Sequence, residues 1–182
     1  TQRFESPLSK AVQRLELAGA RWVATYTLPR MTREQASNWQ AFLLKCKGGA
    51  NTFYAFDPDA KAPRGAARNY TDSVLVKGAS QIGNTINVDG CTASVTNYLL
   101  PGDYFAFGSE LKMVTAPVDT NGSGEATITF EPETRTSPAD NAVITLFNPK
   151  CEMVLQDDNQ SIWGTNQNGI YEGMTFMAIE VF

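Results

Sequence analysis

The feature that most constrains the fold is a series of six short β-like segments separated by turns. The segments are rich in β-branched and aromatic side chains and occupy residues 74–76, 85–88, 104–107, 111–114, 126–130 and 143–147. The turns are rich in Gly, Pro, Asp and Asn and fall at Gly90 and at residues 101–103, 119–124 and 138–141. Short strands at this spacing predict a small β-barrel or β-sandwich.

One helix is predicted ahead of this region. Thr32 is a suitable N-cap, and Gln35 completes a capping-box pattern. Gly48 and Gly49 supply the C-terminal stop, because glycine adopts the left-handed conformation without a Cβ penalty. Four apolar side chains recur at helical spacing and form one stripe: Ala36, Trp39, Leu43 and Cys46.

Alternating apolar side chains predict further strands on both sides of the 74–147 region. Before it, Trp22, Ala24, Tyr26 and Leu28 share one face, and residues 52–56 form a strand after the helix. After it, alternation covers residues 151–155 and 174–182, and these strands are predicted to complete the sheet that Trp22 begins. Residues 157–160 and 164–169 are predicted to be hairpin loops.

The predicted fold class is therefore mainly β with one helix, a β-sandwich plus α carrying an inserted small β module. Residues 1–65 and 148–182 are predicted to form one discontinuous domain, with residues 66–147 inserted as the module. The predicted core of the discontinuous domain is Trp22, Tyr26, Trp39, Leu43, Phe53 and Phe176.

Composition excludes several partners. The 15 Lys and Arg residues are scattered and the net charge is −4, so no specific nucleic-acid partner is expected. No apolar run approaches the roughly 20 residues of a membrane span, so no membrane insertion is expected either.

Because no secretory signal pattern begins the chain, assembly in the cytoplasm is expected. The three widely spaced cysteines, Cys46, Cys91 and Cys151, then predict buried free thiols.

The absence of histidine removes most catalytic and zinc-binding arrangements. A hydrolase would depend on the carboxylates Asp57, Asp59, Asp157 and Asp158, all of which stand in turn-like contexts. Residues 119–124 match the start of a calcium loop, but Phe130 stands where its bidentate Glu is required. No phosphate-binding glycine motif occurs. The expectation is a protein that is not an enzyme, with no catalytic site, no cofactor and no metal.

Two alternatives for the aromatic residues and the N-terminus stay open. Tyr98, Tyr104 or Trp163 could stack on sugars, which would make the chain a carbohydrate-binding module that contacts the host cell surface, or most of them could fill the core, which is the preferred interpretation. Residues 1–17 could form an arm that adds to a neighbouring subunit's sheet, or an edge strand of their own domain.

An ordered set of motifs resembles the distal tail or minor tail proteins of long-tailed bacteriophages and prophages. The N-terminal motifs are Arg21-Trp22-Val23-Ala24, Leu28-Pro29-Arg30-Met31-Thr32, Trp39-Gln40-Ala41-Phe42, Gly48, Phe53 to Asp59 and Pro63-Arg64-Gly65. Those that follow are Leu100-Pro101-Gly102-Asp103-Tyr104, Asp119 to Ile128, Glu131-Pro132 and Asn148-Pro149-Lys150.

This resemblance implies a structural protein of the virion. Such proteins form a ring, usually sixfold, that joins the distal end of the tail tube to the tail-tip hub or baseplate. The expected partners are copies of the chain itself, the tail tube protein and hub proteins, and the expected location is the virion tail. The ring-forming domain would resemble a tail-tube subunit. The alternative is that the chain is a neighbouring tail adaptor or terminator ring protein of similar fold.

Overall fold

The computed structural model describes residues 2–15, 19–159 and 163–182, and within them the chain is mainly β with one α-helix. This confirms the predicted fold class. The helix, α1, spans Arg33–Cys46. In chain order the strands are β1 Gln2–Glu5, β2 Val12–Leu15, β3 Val23–Thr27, β4 Phe53–Ala55, β5 Leu75–Val76, β6 Gly83–Asp89, β7 Tyr104–Phe107, β8 Glu110–Val114, β9 Ala126–Thr134, β10 Cys151–Leu155, β11 Gly164–Thr165, β12 Tyr171–Glu172 and β13 Thr175–Glu180.

A four-stranded antiparallel sheet joins the beginning and the end of the chain in the order β3-β13-β10-β4. The C-terminal strands therefore complete the sheet that begins near Trp22, as the alternation predicts. On β10 the inward side chains Cys151, Met153 and Leu155 are buried. On β13 the buried side chains include Glu180 as well as Phe176.

Helix α1 covers one end of the inner face of this sheet. Its capping box is present, with the Gln35 side chain accepting a hydrogen bond from the Thr32 N–H at 3.1 Å. Ala36, Leu43 and Cys46 are buried in the core cluster that also contains Phe176. The sequence stripe thus places three of its four side chains in the core.

Trp39, the fourth stripe residue, differs from the prediction because 36% of it is exposed. Its ring lies 6.0 Å from the rings of both Phe42 and Phe176, so only one side of the indole packs. An indole is too large to be covered completely at the margin of a single helix. Phe42, outside the predicted stripe, packs against Phe53 at 5.2 Å instead.

The remaining side chains predicted for this core lie at two levels of burial. Leu43 and Phe176 are buried, at 1% and 2% exposure. Trp22, Tyr26 and Phe53 are half-buried, since they line the margin of the sheet. Tyr26 stacks on Phe176 with ring centroids 4.8 Å apart, which ties β3 to the centre of the sheet.

A second, five-stranded sheet has the order β5-β6-β9-β8-β7 and encloses its own apolar cluster. Segment 143–147, predicted as a strand, is not one. Val143 bridges to Leu75 on β5, whereas Thr145 bridges to Ala106 on β7. Because β5 and β7 are the two edges of the sheet, this segment divides its backbone bonds between them and forms a ladder with neither. It closes the sheet into a barrel-like module.

The two sheets share a third apolar cluster. Ala106 and Leu111 of the five-stranded sheet pack with Ala55, Met153 and Ala178 of the four-stranded sheet. The strands of the four-stranded sheet lie at residues 23–55 and 151–180, on either side of the module. The domain boundaries 1–65, 66–147 and 148–182 stay a prediction.

The helix offers a matched test of this core. Leu43 is 1% exposed and its neighbour Leu44 is 65% exposed. We expect Leu43→Ala to lower the free energy of unfolding by about 2–5 kcal/mol, because it removes buried apolar contacts and leaves a cavity. Leu44→Ala should change it by less than about 0.5 kcal/mol. Urea unfolding followed by tryptophan fluorescence measures both, and equal effects would contradict the assigned helix orientation.

Candidate assembly surfaces

The N-terminal residues form a separate hairpin. Strands β1 and β2 pair only with each other within the described part of the chain, in the register Phe4↔Gln13 and Glu5↔Val12. Two ion pairs, from Arg3 and from Lys10 to Glu5, also lie inside the hairpin. Residues 2–15 are therefore not an edge strand of the four-stranded sheet, whereas addition to a neighbour's sheet stays a prediction. Residues 1 and 16–18 of the predicted arm lie outside the described residues.

The two faces of this hairpin differ: one is the more apolar, and the other is charged. Cross-strand partners share a face, so Phe4 and Leu15 lie on one face of the sheet and the pair Arg3–Arg14 on the other. Phe4 is 60% exposed and Leu15 is 51% exposed. At the hairpin turn, Leu8 is 97% exposed. An isolated two-stranded hairpin is at best marginally stable in water, so Phe4 and Leu15 mark a surface that lacks a partner in one copy.

Strand β3 is an edge of the four-stranded sheet, and no other strand of the described residues pairs with its outer side. Leu28 donates its N–H to the Met174 carbonyl at 2.9 Å, and Trp22 accepts from the Glu180 N–H at 2.9 Å. Antiparallel pairing alternates residues bonded to the partner strand with residues whose polar groups point away. The outward N–H and C=O groups of this edge thus belong to Val23, Thr25 and Thr27.

An apolar groove of about 460 Å³ lies along this edge, between β3 and the segment that follows β4. Its lining includes Trp22, Tyr26, Phe56, Asp57, Tyr104 and Leu111. Trp22 and Tyr104 meet edge to face, with ring centroids 5.6 Å apart. Burial raises the pKa of Tyr26 and of Tyr104, and the Asp57 carboxylate raises both further. The groove therefore combines neutral aromatic walls with one acidic group.

A buried cluster of charges joins the two sheets beside this groove. Glu180 of β13 is 0% exposed, and its carboxylate accepts a hydrogen bond from the Trp22 N–H at 3.1 Å. Arg135, directly after β9, pairs with Glu180 at 3.3 Å and donates to the Ala20 carbonyl. The Trp22 indole donates to the Leu111 carbonyl at 2.8 Å. Sequence reasoning missed this cluster, although Glu180 stands at an inward position of its alternating strand.

A second buried ion pair lies within the module. Lys112 on β8 is 0% exposed, and its ammonium contacts Glu110 at 2.7 Å and donates to the Glu133 carbonyl at 2.8 Å. The Glu110 carboxylate also accepts the backbone N–H groups of Arg135 and Thr136. These bonds hold the backbone of Arg135 in place, and they thereby position the Arg135 side chain.

The Asp103 carboxylate joins two sequence motifs that are far apart in the chain. It accepts backbone N–H groups of Arg64 at 2.8 Å, Gly65 at 3.2 Å and Leu100 at 2.8 Å, and it is 3% exposed. The Arg64 guanidinium lies 3.3 Å from the same carboxylate. A Cβ on Gly65 would lie 2.3 Å from the Tyr98 carbonyl oxygen, so this close approach requires glycine. The motifs at 63–65 and 100–104 therefore meet at the entrance to the module.

Three of the four carboxylates considered for catalysis accept backbone N–H groups. Asp57 accepts the Asp59 N–H and Asp157 accepts the Asn159 N–H, both at 2.9 Å, and Asp158 accepts the Gly49 N–H at 3.1 Å. The first two are local bonds of the kind that make Asp favourable in turns. Asp57 and Asp157 line two different hollows of the surface.

The 119–124 segment is a turn of the same kind. Asn121 accepts the N–H groups of Ser123 and Glu125 at 2.8 and 3.0 Å, and Asp119 accepts that of Asn97 at 2.6 Å. Among the residues that the structure describes, no group of three or more Cys, Asp or Glu side chains could hold a metal ion.

The aromatic side chains considered for sugar binding differ in exposure. Tyr98 is 1% exposed, which corrects its proposed role as an exposed platform: its hydroxyl donates to Asp72 at 2.8 Å inside the module core. Burial, followed by the bond to Asp72, raises the pKa of Tyr98. Tyr104 and Trp163 are half-buried, and Trp163 packs against the cluster under α1.

All three cysteines are free and buried, as the sequence predicts. Burial raises the pKa of Cys46, raises that of Cys91 to about 11 and raises that of Cys151 to about 12. These thiols are therefore protonated at neutral pH and act as small apolar side chains.

Comparison with protein-family models and with curated sequences finds no match to this chain. Within the described residues, none of the helices has the length and apolar character needed to cross a membrane.

Proposed function

We propose that the chain is a structural subunit of a phage tail that self-associates into a ring at the distal end of the tail tube. Two observations carry this proposal. The outer edge of β3 has no partner among residues 2–15, 19–159 and 163–182, and the same chain holds a separate hairpin with exposed apolar side chains. Open edges and apolar patches are the features through which subunits associate. Head-to-tail contacts between two different surfaces close into a ring when their rotation allows it.

The placement in a tail rests on the resemblance of the motifs, and the geometry adds one supporting argument. The motif residues meet at two joints, one between Trp22 and Tyr104 and the other between Arg64 and Asp103. In this proposal the motifs serve to hold the barrel-like module on the four-stranded sheet. The ring, expected to be sixfold, would contact the tail tube protein on one side and the tail-tip hub on the other, and the protein would have no catalytic role.

The test is the state of assembly of the purified chain and its presence in virions. We expect light scattering to give a multiple of 19.9 kDa and negative-stain microscopy to show closed rings. Mass spectrometry of purified virions of the source phage or prophage should detect the chain. Monomers alone in microscopy, together with absence from virions, would overturn the proposal. A glycan array tests the carbohydrate-binding alternative. In that alternative Tyr98 can no longer serve as a stacking surface, because its side chain is buried.

A further inference from the structure

We infer that the N-terminal hairpin of one copy binds the open β3 edge of a second copy and inserts its apolar face into the groove beside that edge. This inference rests on the proposed function, because it names the two surfaces through which neighbouring copies associate. The hairpin is residues 2–15, and the receiving surface is the β3 edge together with the groove lined by Tyr26, Tyr104 and Asp57.

The backbone groups of the two surfaces are complementary. The outward groups of β3 span residues 23–27, and each hairpin strand is four residues long. The Ser6 N–H donates to the Ala11 carbonyl at 2.9 Å, so by alternation the outward groups of the hairpin belong to Arg3 and Glu5 on one strand and to Val12 and Arg14 on the other. Pairing one hairpin edge with β3 would bond the outward groups of that hairpin strand to those of β3, and it would extend the sheet from four strands to six.

The side chains fit the same arrangement. If the hairpin pairs antiparallel to β3 and continues the pleat of the sheet, its Phe4 and Leu15 face lies on the side of Trp22 and Tyr26, where the apolar groove is. Its Arg3 and Arg14 face then lies on the outer side with Thr25, which is exposed. One face of the hairpin is thus buried against aromatic side chains, and the other stays in water.

Charge favours a second copy as the partner. Arg3, Lys10 and Arg14 against Glu5 give residues 2–15 a net charge of +2, so the chain's net charge of −4 leaves −6 on the rest. Asp57 stands on the wall of the groove and is exposed. A basic arm and an acidic body attract each other between copies, and such complementarity orients the encounter.

A matched pair of substitutions tests the arm. Phe4→Glu places a charge on the apolar face, and we expect it to reduce the mass in light scattering from that of the oligomer to 19.9 kDa. Leu8→Glu places the same charge at the hairpin turn, outside both strands, and should leave the oligomer intact. Circular dichroism verifies that both variants keep the fold. Assembly of the Phe4→Glu variant equal to that of the unmodified chain would overturn the inference.

Cross-linking between two differently tagged chains identifies the receiving surface. One chain carries Thr25→Cys, and the other carries Arg14→Cys or Arg3→Cys, so that either hairpin edge is probed. The native thiols are buried and stay out of the reaction. We expect a disulfide between the two tagged chains on non-reducing gels. A disulfide formed only within a chain that carries both substitutions would show that the arm binds its own sheet, and would overturn the inference.

The two proposals fail in different ways. If the unmodified chain forms rings, the Phe4→Glu variant forms them equally well and no disulfide links the two tagged chains, then the hairpin inference is wrong and the ring proposal stands. If the unmodified chain is a monomer and is absent from virions, the ring proposal is wrong, and the hairpin inference falls with it.

Discussion

Replacing Arg135 by Met is expected to lower the free energy of unfolding by about 3–5 kcal/mol, because it leaves the Glu180 carboxylate buried without its counter-ion. Glu180 is 1% exposed at its side chain and Arg135 is 14% exposed, so water reaches neither group freely. The Trp22 N–H would remain the hydrogen-bond donor to Glu180 at 3.1 Å. Urea unfolding at neutral pH measures the change.

The double variant Arg135→Met, Glu180→Leu is the control for this prediction. Within the described residues, neither Arg135 Nη1 nor Glu180 Oε1 has a hydrogen-bond partner, so the pair is only partly satisfied. A partly satisfied buried pair is commonly replaced by apolar side chains at little cost. We therefore expect the double variant to recover most of the lost stability. Equal stability of the single variant and the unmodified chain would show that this joint does not exclude water.

Replacing Asp103 by Ala is expected to have an effect of similar size, about 3–5 kcal/mol, because three backbone N–H groups and one guanidinium lose their acceptor together. The Arg64–Gly65 segment is held at the module entrance by these bonds. The loss of stability should therefore be accompanied by faster amide hydrogen exchange at residues 64–66 and 99–103 than in the unmodified chain.

Asp119→Ala is the matched control for Asp103. Asp119 also accepts a backbone N–H, that of Asn97 at 2.6 Å, but it is exposed. Water can replace this acceptor, so we expect a loss of only about 0.5–1.5 kcal/mol. If the two substitutions cost the same, Asp103 acts as an ordinary turn residue and does not hold the module entrance.

Local patterns were sufficient for much of the fold. The capping box at Thr32 and Gln35, the strand at 104–107 and the buried alternation of Cys151, Met153 and Leu155 all form as the sequence predicts. Each depends on residues that are close in the chain, so periodicity and turn chemistry report them directly. The free buried thiols follow in the same way from cysteine number and spacing.

The candidate surfaces were less accessible to sequence reasoning. The sequence offers two alternatives for the N-terminus, an extended arm and an edge strand, and in the structure residues 2–15 form a separate hairpin and not an edge strand of the four-stranded sheet. The groove beside β3 was not expected, because it lies between strands that are distant in the chain. Tyr98 shows the opposite error: an aromatic side chain in a loop looks available for a ligand until the fold buries it.

The sequence by itself determined the class of the fold, the position of its helix and most of its strands, because these follow from local propensity and from the period of apolar side chains. Only the tertiary structure decided three features: that residues 143–147 are divided between two sheet edges, that Glu180 is paired with Arg135, and that β3 is an edge strand of its sheet. Each of these features depends on which segments, distant in the chain, become neighbours in space, and local composition does not determine those neighbours.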